Sequence, residues 1–456
     1  MNYEPVLPGY GDYLRDESQL TGKAEEICFP LTEEDIKAAF LRAEDRHQKV
    51  TIQGGRTGLS GGCVPRGGLI LNLGRMNRLG EVIRKEDGTA VIEAQAGVTL
   101  QQLRKQIYPW VFPPDPTEET ATLGGIFATG ASGLGGCCYG RASSHVEKLT
   151  WVTPRGKLWE ISRGAYVSRG RTLTLPDGIH IPCSPKTDLI DFLSGSEGKY
   201  GAAASFTLKL QKREAEAWGL LFFFELQKQA GAFCGEIRKL QKTLKARILA
   251  AEFFDRGALG FLRSCRDHPL LKSLGNLPGQ TAIYLELGGE SEILPEDLGR
   301  LLDLFEACGG REEDSWAENH PTGVERLRSL RHSLTTLLGE KPELRGEMGT
   351  RWEVDFACPP EEIPAFAAGC QALLQKSNLQ GAIYGHLLHP GIHVAFLPET
   401  GEQRQCCDRV QQEICSLILS GGGSLWEEYG PGKLHRENFP RNGEIRRFID
   451  PRNLLG

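Results

Sequence analysis

Three glycine-rich loops in the first half of the chain constrain its fold more strongly than any other feature. The first runs as GGRTGLSGG from Gly54 to Gly62 and follows a short predicted strand at 49–53. The second spans 113–140, and the third, 195–201, precedes a predicted strand at 205–211. Glycines let backbone N–H groups approach and surround an anion without obstruction by a Cβ atom. Three such loops in one domain therefore predict a fold that binds a pyrophosphate group.

The first loop fits an anionic ligand but excludes two common phosphate-binding motifs. Arg56 offers a positive charge, and Thr57 and Ser60 offer hydroxyl groups. No Gly-Lys-Ser/Thr triplet ends the loop, as a Walker A motif requires. The GxGxxG spacing of a dinucleotide-binding helix start is also missing. A plain tight turn is the alternative for any single loop, and the occurrence of three loops in order argues against it.

The composition excludes several classes of protein. A length of 456 residues predicts two or three domains. A net charge of -6 gives no basic field, so no nucleic-acid partner is expected. The 13 cysteines include no CxxC pair, which favours reduced thiols over a zinc or iron–sulfur site. Without a signal-peptide pattern or an apolar run of about 18–20 residues, we expect no transmembrane segment and a cytoplasmic location, with peripheral membrane contact left open.

Local patterns predict several helices and strands. The segment 32–35, Thr-Glu-Glu-Asp, is a capping box that predicts a helix through about Ala43. The segments 146–152 and 157–162 alternate around Pro-Arg-Gly and predict a hairpin. Beyond Lys212, strands and helices alternate, which predicts an α+β layer with helices covering one face of a sheet.

Four segments together carry a resemblance to a known family. They are QGGRTGLSGG, PPDPTEETATLGGIFATGASG, YGRASSHVEKLTWVTPRGK and GSEGKYGAAASFTLKL. They resemble the FAD domain of the vanillyl-alcohol oxidase and p-cresol methylhydroxylase superfamily, in its branch of D-lactate dehydrogenases and D-type subunits of glycolate oxidase. The ending FIDPRNLLG resembles the tail of that family. The resemblance implies an α+β fold with a two-lobed FAD-binding domain of the p-cresol methylhydroxylase type and a ferredoxin-like α+β cap domain.

The resemblance also implies domain boundaries and positions that bind the cofactor. The FAD-binding domain would span 1–215, the substrate or cap domain 216–400, and a helical segment returning to the flavin 401–456. The pyrophosphate would be wrapped by Gly54, Gly55, Arg56, Thr57, Gly58, Leu59, Ser60, Gly61 and Gly62. The isoalloxazine and ribityl groups would be lined by Pro114, Thr122, Gly124, Gly125, Thr129, Gly130, Ser132 and Gly133, and the adenine side by Glu197, Gly198, Gly201 and Ala202. The first loop has no histidine or cysteine, so non-covalent FAD is expected.

A second candidate site lies in the segment GHLLHPGIH, residues 385–393. If the chain turns about His389 and Pro390, then His386 pairs with His393, with Cβ atoms about 4.5–5.5 Å apart. Two such imidazoles can share one metal ion, and two ordinary histidines are the alternative. In relatives that oxidise hydroxy acids, two histidines and a glutamate bind a divalent metal. The resemblance implies this role for His386, His393 and Glu428, with Zn, Mn or Fe as the candidate ions.

The sequence departs from the family at Tyr429, where relatives carry the histidine that acts as general base. A phenol with a reference pKa of ~10 accepts a proton poorly near pH 7 unless a metal lowers that pKa. Tyr429 is therefore a metal-activated base, a positioning group, or a sign of altered substrate or lost activity. His389 is a candidate substitute base, with a turn residue as the alternative. Arg331 and Arg351 fall where relatives carry an arginine that binds the substrate carboxylate, although most such arginines are solvated.

Together these features predict an FAD-dependent oxidoreductase that oxidises a small 2-hydroxy acid, of the D-lactate or glycolate type, by hydride transfer to flavin N5. The expected electron acceptor is a quinone or an iron–sulfur protein. One alternative is a flavin oxidoreductase for a bulkier alcohol that uses Tyr429. The other is a degenerate flavin-binding subunit that serves as an assembly or electron-relay partner.

Overall fold

The structure is a computed structural model that describes residues 1–18, 20–113, 115–116, 118–264, 277–340, 352–428, 430, 432 and 443–456. Its strands are β1 Tyr3–Pro5, β2 Glu26–Cys28, β3 Val50–Gln53, β4 Leu69–Asn72, β5 Ile83–Arg84, β6 Ala90–Gln95, β7 Trp110–Val111, β8 Val146–Val152, β9 Leu158–Ser162, β10 Thr172–Thr174, β11 His180–Pro182, β12 Ala202–Lys212, β13 Glu216–Phe224, β14 Arg247–Phe254, β15 Thr281–Gly289, β16 Ser315–Glu318, β17 Trp352–Ala357, β18 Gln380–His386, β19 Ile392–Leu397 and β20 Ser424–Leu425. Its α-helices are α1 Glu33–Asp45, α2 Leu100–Ile107, α3 Leu123–Thr129, α4 Gly136–Tyr139, α5 Leu189–Leu193, α6 Gln227–Leu240, α7 Arg256–Ser264, α8 Leu294–Ala307, α9 Pro321–Glu340, α10 Ile363–Lys376, α11 Gly401–Ser420 and α12 Gly443–Ile449. Among the described residues, no helix has the length and apolar character needed to cross a membrane.

The first of two compact units comprises Met1–Gly133, Arg141–Arg213 and Tyr429–Gly456. It contains a four-stranded sheet in the order β1-β2-β4-β3, in which β4 runs parallel to both β2 and β3. A larger antiparallel sheet has the order β5-β6-β12-β8-β9, and β7 also pairs with β12. The long strand β12 follows the third glycine loop, so this sheet fixes the end of that loop.

Local sequence signals predicted elements of this unit correctly. The capping box before α1 is confirmed, because the Thr32 hydroxyl accepts from the N–H of Asp35 while the Asp35 carboxylate accepts from the N–H of Thr32. The predicted hairpin is also confirmed, since β8 and β9 pair antiparallel. At the end of the chain, Leu455 forms a bridge with Val50 at the start of β3. The C-terminus therefore lies beside the strand that leads into the first glycine loop.

The second unit comprises Leu134–Gly140 and Glu214–Glu428. Its centre is an eight-stranded sheet in the order β16-β13-β15-β14-β18-β19-β17-β20. All neighbouring strands in it are antiparallel. Together with the first unit, this arrangement confirms the α+β fold class.

Helices cover both faces of this sheet, so the prediction that they cover one face is wrong. Phe222 of β13 contacts Phe233 of α6 and Phe305 of α8. The next residue, Phe223, packs in a cluster with Leu327 of α9. Successive side chains of a strand point to opposite faces, and the last six residues of β13 are all buried. A strand that is apolar throughout requires cover on both sides.

The structure divides the chain differently from the predicted domains 1–215, 216–400 and 401–456. It assigns Leu134–Gly140 to the second unit, where the Cys137 thiol donates to the carbonyl of Ile248 at 3.5 Å. It also assigns α11 to the second unit, because α11 packs against α10 and β17. The C-terminal portion of the first unit thus begins at Tyr429 and not at residue 401.

Candidate functional site

The first two glycine loops lie directly against each other in the first unit. A Cβ atom at Gly54 would lie 2.2 Å from Oγ1 of Thr122, and one at Gly55 would lie 2.7 Å from the carbonyl oxygen of Thr120. Cβ atoms essentially never approach other heavy atoms so closely, so glycine is required at both positions. At Gly62, by contrast, a Cβ atom would have nothing within 4 Å. The start of the first loop therefore packs against the second loop, whereas its end at Gly62 has open space beside it.

The third loop is attached to the second by backbone hydrogen bonds at the end of α3. The N–H of Gly195 donates to the carbonyl of Phe127 at 3.1 Å, and that of Glu197 donates to Ala128 at 2.9 Å. All three glycine loops thus converge around α3. The Glu197 carboxylate accepts from the N–H of Gly432 at 2.7 Å and pairs with Lys199, so this side chain anchors the C-terminal segment.

Most other predicted cofactor residues also lie around α3. Thr122 caps this helix, and the residues that lie within it or just after it are Gly124, Gly125, Thr129, Gly130, Ser132 and Gly133. The Thr129 hydroxyl donates to the carbonyl of Gly125 at 3.1 Å. Arg56 has φ of 63°, and its guanidinium lies over the ring of Tyr13 at 4.4 Å from the ring centre. Pro114 lies outside the described residues.

In the second unit, the two predicted histidines lie in a row of polar side chains that crosses four neighbouring strands. His386 ends β18, and His393 is the second residue of β19. The flanking strands β14 and β17 place Glu252 opposite His386 and Asp355 opposite His393. Directly opposed residues share a face of the sheet. The order across the sheet is therefore carboxylate, imidazole, imidazole, carboxylate.

Glu428 completes a compact cluster with the two imidazoles. Its Oε2 lies 3.4 Å from Nε2 of His386 and 3.2 Å from Nε2 of His393. The donor atoms of all three residues lie within 4.8 Å of one another. Both histidines are buried, and the Glu428 side chain is 14% exposed. The sequence-predicted ligand set is thus brought together in space.

The predicted cross-strand pairing of His386 with His393 is wrong in its register. His386 lies opposite Gly391, because its N–H donates to the carbonyl of Gly391 at 3.0 Å. The next residue, Leu387, donates its N–H to Ala251 of β14 and so continues along that strand before the chain turns. The turn is longer than expected, and the two histidines are diagonal neighbours on one face. Diagonal neighbours are about 7–8 Å apart, which imidazole side chains span.

Glu252 links His386 to Arg331 through its two carboxylate oxygens. Oε1 lies 2.5 Å from Nδ1 of His386, and Oε2 accepts from Nε of Arg331 at 3.0 Å. All three side chains are buried. Arg331, which the sequence predicted to bind the substrate carboxylate, uses its Nε for Glu252, and its guanidinium lies over the ring of Tyr384 at 4.8 Å from the ring centre.

Asp355 holds the backbone of the loop that carries Glu428. Its carboxylate accepts from the N–H of Glu427 at 2.6 Å and from the N–H of Glu428 at 3.1 Å. The N–H of Trp426 donates to the main-chain carbonyl of Asp355 at 2.9 Å. Three consecutive residues of the loop are therefore bound to one position of β17, which brings Glu428 to the histidines.

The sequence interpretation missed Glu252 and Asp355. Each is an acidic residue whose neighbours on the strand are largely apolar, in ILAAEFF and WEVDFA. A carboxylate is rarely buried unless it is paired or hydrogen-bonded. That rule marks both residues as candidates for a buried network, although it does not identify their partners.

The remaining predicted residues are only partly described. His389 stacks on His386 with ring centres 4.0 Å apart and an interplanar angle of 22°. It is thus beside the cluster, although its ring atoms are not among the three grouped donors. Tyr429 and Arg351 lie outside the described residues.

Burial and neighbouring charges shift the pKa values of the cluster in opposite directions. Burial raises the pKa of Glu428, but the two histidines outweigh it and hold that pKa well below its usual value. Burial lowers the pKa of His386, yet the carboxylates of Glu252 and Glu428 raise it to about 9. At His393, burial dominates and lowers the pKa. Without a bound cation, the cluster therefore holds one protonated and one neutral imidazole near neutral pH.

For protein treated with a chelator, we expect the free energy of unfolding to fall as the pH rises through 9. His386 has a pKa of about 9 in the folded state and 6.5 as its reference value. Its stabilising contribution is therefore fully present below pH 6.5 and is lost as the pH rises through 9. The shift corresponds to about 3 kcal/mol. Urea unfolding of the parent and of His386→Asn across this range measures the effect, and parallel pH profiles would contradict it.

Two family models match the chain. A model described as an FAD binding domain matches residues 24–162, which include the first two glycine loops. A model described as the C-terminal domain of FAD linked oxidases matches residues 219–455, which is more than half of the chain. The second match includes every residue of the His386, His393 and Glu428 cluster.

Curated relatives match the chain over most of its length. It is 31% identical to a D-lactate dehydrogenase of Anaerostipes hadrus, in a match that covers 92% of this chain and 84% of that protein. It is 26% identical to a D-lactate dehydrogenase of Archaeoglobus fulgidus, covering 94% and 89% respectively. It is 25% identical to a D-2-hydroxyglutarate dehydrogenase of Escherichia coli, where the match covers 94% of this chain and 47% of that protein.

Solved structures confirm the predicted type of fold. A p-cresol methylhydroxylase with substrate bound superposes with a TM-score of 0.74 at 14% identity, covering 100% of this chain and 92% of that one. An alkyldihydroxyacetonephosphate synthase superposes with a TM-score of 0.66 at 17% identity, covering 96% and 76%. At these identities the likeness concerns the fold alone.

Proposed function

We propose that this chain, which belongs to the family of FAD-linked oxidases, oxidises a small D-2-hydroxy acid in an FAD-dependent reaction. The buried cluster of His386, His393 and Glu428 is the observation that carries the substrate class. Two imidazoles and a carboxylate form a site for a divalent cation. Such a cation can bind the adjacent hydroxyl and carboxylate oxygens of a 2-hydroxy acid together. The names of the D-lactate and D-2-hydroxyglutarate dehydrogenases that match the chain support the same class.

The donor atoms of the cluster fit a transition metal. Two ligand atoms each about 2.1 Å from zinc, at a tetrahedral angle, are about 3.4 Å apart. Oε2 of Glu428 lies 3.4 Å and 3.2 Å from the Nε2 atoms of His386 and His393. Among the described residues, Nε2 of His386 and Oε2 of Glu428 are buried without a hydrogen bond. We therefore propose that these three residues hold Zn²⁺, Mn²⁺ or Fe²⁺, the ions suited to mixed nitrogen and oxygen ligands.

The residues of the chain would have separate roles in cofactor binding, substrate orientation and proton transfer. When bound, FAD supplies the hydride acceptor at flavin N5, and the metal supplies a Lewis acid for the substrate oxygens. The three loops around α3 would hold the cofactor. His386, His393 and Glu428 would hold the metal, which would fix the substrate in one orientation. We propose that Tyr429 would accept the hydroxyl proton and that Arg351 would bind the substrate carboxylate, because Nε of Arg331 is bound to Glu252.

We propose that a quinone or an iron–sulfur protein would serve as the electron acceptor. Among the described residues, the one group of metal-ligating side chains is His386, His393 and Glu428, and it contains no cysteine. An iron–sulfur centre needs several thiolate ligands. If such a centre takes part, we therefore place it on a partner protein.

Anaerobic mixing of the FAD-loaded protein with a panel of alcohols tests this function. We expect D-lactate or D-2-hydroxyglutarate to bleach the flavin absorbance, and L-lactate to leave it unchanged. If only a bulky benzylic alcohol bleaches the flavin, the protein is an oxidoreductase for a bulkier alcohol and the hydroxy-acid proposal is wrong. Flavin that stays oxidised with every compound would indicate an electron-relay role and would overturn the proposal.

A further inference from the structure

We propose that Glu252 is a positioning residue of the metal site, which together with Arg331 fixes the ring of His386 so that Nε2 faces Glu428. This inference rests on the proposed metal-assisted function. It assigns a role in the reaction to a residue that is not one of the three grouped ligands. The sequence motif of histidines and glutamate does not include it.

The sheet brings Glu252 to His386 without any loop. Glu252 on β14 and His386 on β18 are direct cross-strand partners. This pairing gives the 2.5 Å separation between Oε1 and Nδ1. The position of the carboxylate is therefore set by two backbones in one hydrogen-bonded sheet, which is a rigid support for a ligand.

The hydrogen bond from His386 to Glu252 determines which ring nitrogen is available to a metal. An ionised carboxylate only accepts hydrogen bonds, so Nδ1 of His386 must carry the hydrogen in this pair. In the neutral ring, Nε2 then keeps its lone pair, and it is Nε2 that lies 3.4 Å from Oε2 of Glu428. A carboxylate that holds the far nitrogen of a ligating histidine fixes both the tautomer and the ring orientation.

Arg331 holds the Glu252 carboxylate in place. Glu252 has no exposed surface, and a buried carboxylate without a partner would be strongly destabilised. The Nε of Arg331 donates to Oε2 at 3.0 Å, which leaves Oε1 for His386. Arg331 is itself held by packing on the ring of Tyr384. The chain of contacts therefore runs from α9 through Glu252 to the metal ligand.

A neighbouring ion pair provides a matched control on the same helix and sheet. Arg328, one turn before Arg331 on α9, donates through Nε to the Glu286 carboxylate at 3.1 Å. Glu286 lies on β15, is buried, and also accepts from the hydroxyl of Tyr284 at 2.9 Å. Both glutamates thus attach α9 to the sheet. Among the described contacts, only Glu252 of these two is also hydrogen-bonded to His386.

The test compares Glu252→Gln with Glu286→Gln in FAD-loaded protein from which metal has been removed by a chelator. Titration calorimetry with Zn²⁺ measures metal affinity, and thermal unfolding measures stability. We expect Glu252→Gln to weaken Zn²⁺ binding by about 10- to 100-fold and Glu286→Gln to leave it within about threefold of the parent. We expect both variants to lose stability, because each removes the charge of a buried glutamate that pairs with an arginine of α9.

Arg331→Lys provides a second variant in case Glu252→Gln does not fold. Lysine keeps the charge but loses the planar guanidinium, so we expect a smaller loss of Zn²⁺ affinity. If Glu252→Gln and Glu286→Gln lose equal Zn²⁺ affinity, Glu252 only attaches α9 to the sheet and the inference is wrong. Unchanged Zn²⁺ affinity in both Glu252→Gln and Arg331→Lys would also overturn it. If the parent binds no Zn²⁺, the metal site itself fails and the inference with it. Flavin reduction by D-lactate, measured on the same samples, separates that failure from failure of the proposed substrate class.

Discussion

We expect Glu428→Gln to slow the reduction of bound flavin by a D-2-hydroxy acid by about 100- to 1,000-fold. Glu428 is the only group of the three-residue cluster that carries a negative charge, and its oxygen lies within 3.4 Å of both imidazoles. The amide of glutamine has nearly the same shape but offers a neutral oxygen, so it does not balance a divalent cation. Stopped-flow measurement of flavin absorbance, with Zn²⁺ affinity from calorimetry, checks this expectation.

Glu427→Gln is the matched control for this variant. Glu427 precedes Glu428 in the same loop, and both backbone N–H groups bind the Asp355 carboxylate. The substitution removes the same charge from the same loop, but Glu427 is not one of the three grouped ligands. We expect it to keep both Zn²⁺ binding and flavin reduction near the parent values. Comparable losses in the two variants would mean that loop charge, and not a metal ligand, is responsible.

Features that depend on residues close together in sequence could be predicted here. The capping box at Thr32 requires a partner three residues away, and the hairpin of β8 and β9 requires a turn of a few residues. The glycine loops were likewise visible in the sequence, because three of them in order argue against plain tight turns. Family resemblance then supplied the cofactor, which no local pattern specifies.

Features that depend on strand order could not be predicted. The pairing of Glu252 with His386 joins residues 134 positions apart, and nothing in either segment indicates that β14 lies beside β18. The predicted register of β18 and β19 was wrong for a related reason. Leu387 takes its hydrogen-bond partner from β14, so the turn is shaped by a third strand that the hairpin sequence does not contain. The placement of helices on both faces of the sheet also depends on the tertiary arrangement, which no single segment encodes.

We expect Gly391→Ala to weaken Zn²⁺ binding by more than about 100-fold and to slow flavin reduction, although Gly391 is not one of the grouped ligands. A Cβ atom at this position would lie 2.4 Å from Oε2 of Glu428 and 2.7 Å from Cδ2 of His386. The added methyl group would therefore push apart two members of the cluster. The φ of Gly391 is +132°, so alanine also strains the backbone by about 1–3 kcal/mol.

Gly422→Ala separates this steric effect from backbone strain. Gly422 has φ of +85°, but a Cβ atom there would meet nothing within 4 Å. We expect both variants to lose stability in urea unfolding, whereas only Gly391→Ala loses Zn²⁺ affinity, by more than about 100-fold. If Gly391→Ala binds Zn²⁺ as tightly as Gly422→Ala does, the metal does not bind between His386 and Glu428. In that case the cluster is a structural ion pair network, and the charge that His386 and Glu428 share serves folding and not substrate binding.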